Sequence, residues 1–232
     1  MSQAIPAITT YMERGVHLAL KKYFCPNEDM HEMRIGRYVA DACDGTTVFE
    51  IQTGSLSLLR KKIQFYLENT ELDVLVVHPL AQNRKILWLD GETGELARPA
   101  KLSGKHEDMR DALPQLLYVK EMLDEPRLSF CFPMMEISEA RLLDGYGKDK
   151  KRGSTSLDRI AGEIYSLNYV RSTDDVKRVA ASFLADSEMS RDELARTMRL
   201  KGRKLWAAQK LLCEIGALTV KQDGKRLIFK KT

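Results

Sequence analysis

Three polar side chains stand out in an otherwise apolar stretch: Asp41, Glu50 and Gln52, within the run at residues 35–55 that reads Ile-Gly-Arg-Tyr-Val-Ala-Asp-Ala-Cys-Asp-Gly-Thr-Thr-Val-Phe-Glu-Ile-Gln-Thr-Gly-Ser. Asp44-Gly45 separates two segments rich in β-formers, 33–42 and 46–53, which is a strong hairpin signal. With Asp44-Gly45 as a tight loop, Cys43 faces Thr46, Asp41 faces Val48 and Val39 faces Glu50. Side chains alternate along a strand, so Asp41, Glu50 and Gln52 then project from one face. Two carboxylates in an apolar sheet repel each other and lose hydration. A divalent cation removes both costs. Mg²⁺ takes one or two carboxylates and fills its shell with water and phosphate oxygens, where it activates water and neutralises charge on a phosphate under attack. The pattern predicts Asp41 and Glu50 as ligands to Mg²⁺ or Mn²⁺.

The elements that must hold these residues follow from periodicity. Residues 7–23 predict a helix with Tyr11, Val16, Leu18, Leu20 and Tyr23 on its apolar side, closed by Pro26. Residues 55–68 predict a second helix, with Leu58, Leu59, Ile63, Tyr66 and Leu67 apolar. Residues 73–80, Asp-Val-Leu-Val-Val-His-Pro-Leu, read as a buried central strand, and 84–90 as another, ended by Gly91. Residues 92–106 read as loop. Residues 107–124 read as a helix broken or kinked at Pro114, and 128–134 as a strand. A basic loop at 148–153 (Lys-Asp-Lys-Lys-Arg-Gly) precedes helices at 156–168 and 172–185.

The order helix, hairpin, helix, strand over residues 7–90, with Asp41 ahead of Glu-Ile-Gln at 50–52, resembles the PD-(D/E)XK nuclease superfamily. The resemblance implies a mixed sheet flanked by helices and a metal-dependent phosphodiesterase site. In it, Asp41 and Glu50 bind the metal, Gln52 stands where Lys is most common, and Glu13 matches the helical Glu. A neutral amide positions water but supplies no charge, so Lys61 or Lys62 on the next helix is the candidate substitute cation. The whole chain also resembles a group of uncharacterised prokaryotic proteins joining a Glu-Ile-Gln-Thr core to a C-terminal winged helix. In that group Glu13 and His17, one helical turn apart, recur with the Lys-Lys-Arg-Gly loop. His17 otherwise reads as structural, and His78 as a core histidine.

The C-terminal end reads most simply. Ser190-Arg191-Asp192-Glu193 is a capping box opening a short helix. A second helix at 203–215 ends at Gly216, and Asp223-Gly224 turns a hairpin between 218–222 and 226–230. Helix, turn, helix, hairpin predicts a winged helix-turn-helix. From residue 199 to the end, ten Lys or Arg stand against Glu214 and Asp223, a segment charge of +8 in a chain of net charge +4. A basic module on an acidic body suggests a polyanion partner. Lys201, Arg203, Lys204, Lys225 and Arg226, with Lys150, Lys151 and Arg152 of the basic loop, are the expected phosphate contacts, and Gln209 the base-reading residue.

The composition, 232 residues with 44% hydrophobic and 30% charged, is that of an ordinary globular chain. No apolar run approaches the roughly 20 residues a membrane helix needs, and no signal peptide is visible. Cys25, Cys43, Cys131 and Cys213 form no Cys-x-x-Cys pair, which argues for reduced thiols in the cytoplasm and against a zinc site. There is no Gly-rich phosphate loop and no Ser-His-Asp arrangement.

The expected organisation is a nuclease-like α/β domain at 1–145, a basic loop and linker helix at 146–171, and a winged helix at 172–232. The expected function is a metal-dependent DNA endonuclease or resolvase-like enzyme acting on duplex or branched DNA at the nucleoid. A homodimer would serve double-strand cutting, although no dimer seam is legible. The alternatives are a catalytically inactive DNA-binding regulator on the same scaffold, or a C-terminal module that binds protein.

Overall fold

The protein is described by a computed structural model over residues 15–146, 152–224 and 226–232. An eight-stranded mixed sheet is flanked on both faces by helices. Its strands are β1 (His31–Ile35), β2 (Tyr38–Cys43), β3 (Thr47–Ile51), β4 (Asp73–Val77), β5 (Leu80–Asp90), β6 (Leu96–Leu102), β7 (Leu128–Tyr146) and β8 (Arg152–Val170). The order is β1-β2-β3-β4-β7-β5-β6, with β8 along the other side of β7. The centre is parallel: β3 with β4, β4 with the start of β7, and β5 with the rest of β7. β4 and β5 therefore lie end to end beside one long strand, from Val74↔Leu128 to Asp90↔Leu143. The expected strand at 73–80 breaks at His78-Pro79 and resumes. Pro79 has no N–H to give a ladder, so the break falls where a bond is missing anyway.

Alternation explains the two layers. Val74 and Val76 of β4 join one core cluster, while Leu75 and Val77 pack on the other face. Helix α1 (Val16–Phe24) covers the second face, setting Val16 and Leu20 against Ile51, Val77, Cys131 and Met135. Helices α2 (Arg60–Asn69) and α3 (Met109–Leu116) cover the first through Ile63, Tyr66, Ala112, Leu113 and Leu116.

Several local expectations change. Residues 33–42 are not one strand: Gly36 takes φ +58 and turns β1 into β2 with Ile35 paired to Tyr38. The Asp44-Gly45 loop is longer than expected. The Asp44 carboxylate accepts from the N–H groups of Thr46 at 2.9 Å and Thr47 at 2.8 Å, and Cys43 pairs with Val48 rather than facing Thr46. This register differs by two residues from the expected one. The ladder pairs Ala42 with Phe49 and Cys43 with Val48, so Asp41 no longer faces Val48, and its carboxylate meets the Ile51 N–H instead. Residues 92–106, expected as loop, contain β6. Helix α3 passes into a 3₁₀ turn at Leu117–Met122 shortly after Pro114.

Residues 156–168, expected as a linker helix, belong to β8. Pairing steps such as Met134↔Ser166 to Met135↔Ile164, and Met135↔Ile164 to Ile137↔Ala161, show β8 bulging with extra residues. Each bulge shifts the in–out alternation. The apolar residues Leu157, Ile160, Ile164 and Leu167 consequently fall three or four apart, imitating a helical stripe.

The C-terminal region comprises α4 (Thr173–Ala181), β9 (Met189–Ser190), α5 (Arg191–Met198), α6 (Gly202–Glu214), β10 (Leu218–Asp223) and β11 (Arg226–Lys231), with a small sheet ordered β10-β11-β9. The expected capping box is present: Ser190 and Glu193 exchange side-chain to backbone bonds. Helix α6 packs on α3, and one continuous apolar cluster runs from Val48 and Tyr66 through Leu113 to Leu205 and Phe229. Among the described residues, no helix is long and apolar enough to cross a membrane.

Candidate functional site

The carboxylate pair sits at the carboxyl edge of the parallel strands, where β3 ends at Ile51 and β4 at Val77. Open α/β sheets gather ligand sites at that edge, because the loops leaving it are free to vary. Asp41 comes from the antiparallel neighbour β2. Its Oδ2 accepts from the Ile51 N–H at 2.6 Å and lies 3.2 Å from His17 Nε2, at the start of α1. Burial pushes the Asp41 carboxyl up. The bonds from His17 and Ile51, with the charges of His17 and Lys62, outweigh it and leave the group below its usual range. The same bond raises the His17 pKa against an opposing effect of burial.

Glu50 is the unusual group. It is 1% exposed, one of three buried polar residues among those described. Lys62 Nζ lies 2.7 Å from both of its oxygens, and the Tyr66 hydroxyl donates to Oε1 at 3.1 Å. Lys62 and Tyr66 are four apart on α2, hence on one helical face. Burial pushes the Glu50 carboxyl up to about 7, although Lys62 and Tyr66 oppose it; Asp41 adds to the rise. A carboxylate taken this far out of water demands a positive charge beside it.

Gln52 departs from the expected arrangement. It follows the end of β3, and its Oε1 accepts from the Gly54 N–H at 2.9 Å. Its backbone is firmly held: the N–H donates to Val77 O at 2.9 Å, and Gln52 O lies 2.6 Å from His78 Nδ1. His78 is buried, as expected of a core histidine, and desolvation lowers its pKa; the charges of Arg159 and Lys204 act in the same direction.

Beside His17 an open cleft of about 500 Å³ runs between the start of α1, the turn at Thr53-Gly54 and the bulged part of β8 at Ser156–Arg159. A bridge between Gly15 and Ile160 ties the start of α1 to β8. The cleft is polar and carries the Arg159 side chain. Sequence reasoning passed over Arg159 because it lay in the mispredicted helix.

The structure brings Asp41, Glu50, His17 and Lys62 into one network. Glu13, Lys150, Lys151 and Lys225 lie outside the described residues. Arg152 opens β8. Lys201, Arg203 and Arg226 are exposed, while Lys204 is paired to Asp111 of α3 at 2.7 Å and Gln209 is half-buried. Tyr66 was expected only as an apolar helix residue. Its hydroxyl partner lies on a strand whose packing against α2 is not legible from spacing. Among the described residues, no group of three or more His, Cys, Asp or Glu converges as a metal cage.

Comparison with known proteins adds a family. The model described as "Domain of unknown function (DUF8091)" matches residues 14–171. The chain belongs to this family. The matched region begins just before α1 and ends just after β8, so it holds the whole large sheet and the carboxylate network. An uncharacterised protein of Treponema pallidum (strain Nichols) is 27% identical over 192 residues, covering 82% of this chain and 74% of the relative. That similarity is longer than the family region and the 13 residues before it together, so it reaches past residue 171 into the C-terminal helices. No solved structure gives a significant match.

Proposed function

We propose that this DUF8091 chain is a metal-dependent DNA endonuclease or resolvase-like phosphodiesterase built on a PD-(D/E)XK-type core, with a winged-helix DNA-binding module at its C-terminus. The observation that carries the reading is Glu50: a carboxylate 1% exposed, near Asp41 at the carboxyl edge of parallel strands, and balanced by a lysine. A purely structural strand gains little from burying such a charge, since a buried ion pair is seldom more stabilising than an apolar one. The order α4, β9, α5, α6, β10, β11 supports the winged-helix reading of the C-terminal region, as does its charge.

The donor chemistry fits a hard divalent cation, Mg²⁺ or Mn²⁺, held by Asp41 and Glu50 with water completing its shell. When bound, such an ion polarises a phosphate oxygen and makes water a better nucleophile. The chain's own residues supply the setting. Lys62 carries the positive charge that takes over from the strand lysine usual in the superfamily. His17, held by Asp41 and readily protonated, faces the cleft and offers a cation to a phosphodiester. Arg159 offers a second from the opposite wall.

The inactive-regulator reading is favoured by two observations: Gln52 is turned to Gly54, and Lys62 and His17 already satisfy the two carboxylates. Calorimetric titration of Mn²⁺ into the full chain, paired with cleavage of branched and supercoiled DNA, separates the two. Saturable binding at millimolar metal, lost in Asp41→Ala and Glu50→Gln together with cleavage, is the expected result. DNA binding with neither metal uptake nor cleavage would establish the regulator instead.

A further inference from the structure

The outer face of α6 offers more than cations. Leu205, Ala207, Ala208, Leu211 and Leu212 turn into the core, while Trp206 on the opposite face is 50% exposed. Indole is a large, flat apolar surface, and here it is left accessible between two cations. Arg203 precedes Trp206 by three residues and Lys210 follows it by four, which places all three on one face. Both cations are exposed, and the Lys210 ammonium lies 5.2 Å from the indole centroid. Lys204 points elsewhere, to Asp111. Glu214, at the far end, is shared between Lys120 at 2.8 Å and Lys210 at 3.8 Å.

The chemistry of that face selects its occupant. A helix that reads duplex DNA presents side chains with paired donors and acceptors at its centre. Indole has one N–H donor and no acceptor. What it has is a flat π face, on which an unstacked base sits while neighbouring Arg and Lys meet the backbone phosphates. The segment charge of +8 from residue 199 onward suits a polyanion better than an apolar protein partner.

We propose that Arg203, Trp206 and Lys210 form a stacking platform for an unpaired base, so that the preferred ligand of the C-terminal module is DNA with unpaired bases, such as a flap, bulge or branch, rather than uninterrupted duplex. The proposal rests on the DNA-binding reading above and names its substrate class.

The chain has two tryptophans, Trp88 and Trp206, so the emission of the full-length Trp88→Phe chain reports Trp206 alone. This chain is titrated with a short paired duplex and with the same duplex carrying a single-stranded flap, and affinities are read independently by anisotropy of labelled DNA. The expected result is quenching by the flapped DNA only, with tighter binding of it. In the otherwise native chain, Trp206→Ala should weaken flap binding about tenfold, whereas Trp206→Phe should keep most of the preference. Equal binding of both DNAs without quenching, or an Ala variant that keeps the preference, overturns the platform and leaves duplex binding by the module standing. Failure to bind either DNA at low salt overturns the DNA-binding reading itself.

Discussion

Glu50 concentrates the tension between stability and function at the scale of a residue. Its carboxyl is raised from an ordinary 4.5 to about 7, chiefly by burial. A carboxyl whose folded pKa is raised holds its proton longer in the folded state than in the unfolded one. Stability therefore falls as pH rises from about 4.5 to about 7, by an amount on the order of 3 kcal/mol. Glu50→Gln should flatten that slope in thermal melts across this range, while abolishing metal uptake. An unchanged slope would show that Glu50 is not the titrating group. In the Asp41–His17 pair the two groups act in opposite senses, and only Asp41 runs counter to Glu50. Asp41, lowered, contributes stability above its ordinary 3.8 that is lost in acid; His17, raised, contributes below its ordinary 6.5 and loses it as pH climbs through its folded value. Asp41→Asn should bring the NMR titration midpoint of His17 down. A midpoint that stays put would place the cause elsewhere.

At the scale of elements, the site depends on how tightly the β1–β2 hairpin docks on α2. Gly36 turns that hairpin at φ +58, and a Cβ built there would stand 2.5 Å from the Phe65 ring of α2. Arg37 lies over the Tyr38 and Phe65 rings at 5.2 and 5.1 Å, closing the same junction. Gly36→Ala must both strain the backbone and displace an aromatic ring, so it should cost about 1 to 3 kcal/mol, read as a lower urea midpoint. Since Lys62 and Tyr66 share α2 with Phe65, the variant should also disturb the Glu50 titration. Loss of stability with an intact Glu50 titration would uncouple the hairpin from the site. The bulges of β8 act at this scale too, because they bend the strand where it forms one wall of the cleft beside His17.

At the scale of the molecule, the C-terminal module is not a bead on a string. Its apolar residues and those of the large sheet belong to one cluster. Polar contacts reinforce the junction: Arg110 donates to Thr197 O at 3.3 Å, Lys204 meets Asp111, and Lys120 meets Glu214. Denaturant unfolding should accordingly give one cooperative transition by both fluorescence and circular dichroism, and two resolved transitions would contradict the shared core. If the module binds DNA through phosphates, log affinity should fall linearly with log salt. Lys201→Ala or Arg226→Ala should each reduce that slope by about one while weakening all sequences alike. A salt-independent association would point to a protein partner.

Some of this protein is legible in its sequence because it is encoded by contiguous residues. The α/β class follows from apolar runs at 73–77 and 128–134, and the C-terminal order of helices and hairpin from its capping box, Gly216 and Asp223-Gly224. Alternation alone predicts a common face for Asp41 and Glu50, whereas in the fold Asp41 meets His17 of α1 and Glu50 meets Lys62 and Tyr66 of α2, helices that cover opposite faces of the sheet. Alternation is also what misled the reading of β8: bulges broke its period, and apolar residues three and four apart imitated a helix. Tertiary structure decided the rest. Long-range packing set α2 against β3, and so assigned Lys62 and Tyr66 to Glu50. It buried that carboxylate and gave it an environment no local pattern records. It also turned Trp206 outward and drew Lys204 to Asp111, because only the docking of α6 on α3 determines which side of that helix is left to solvent.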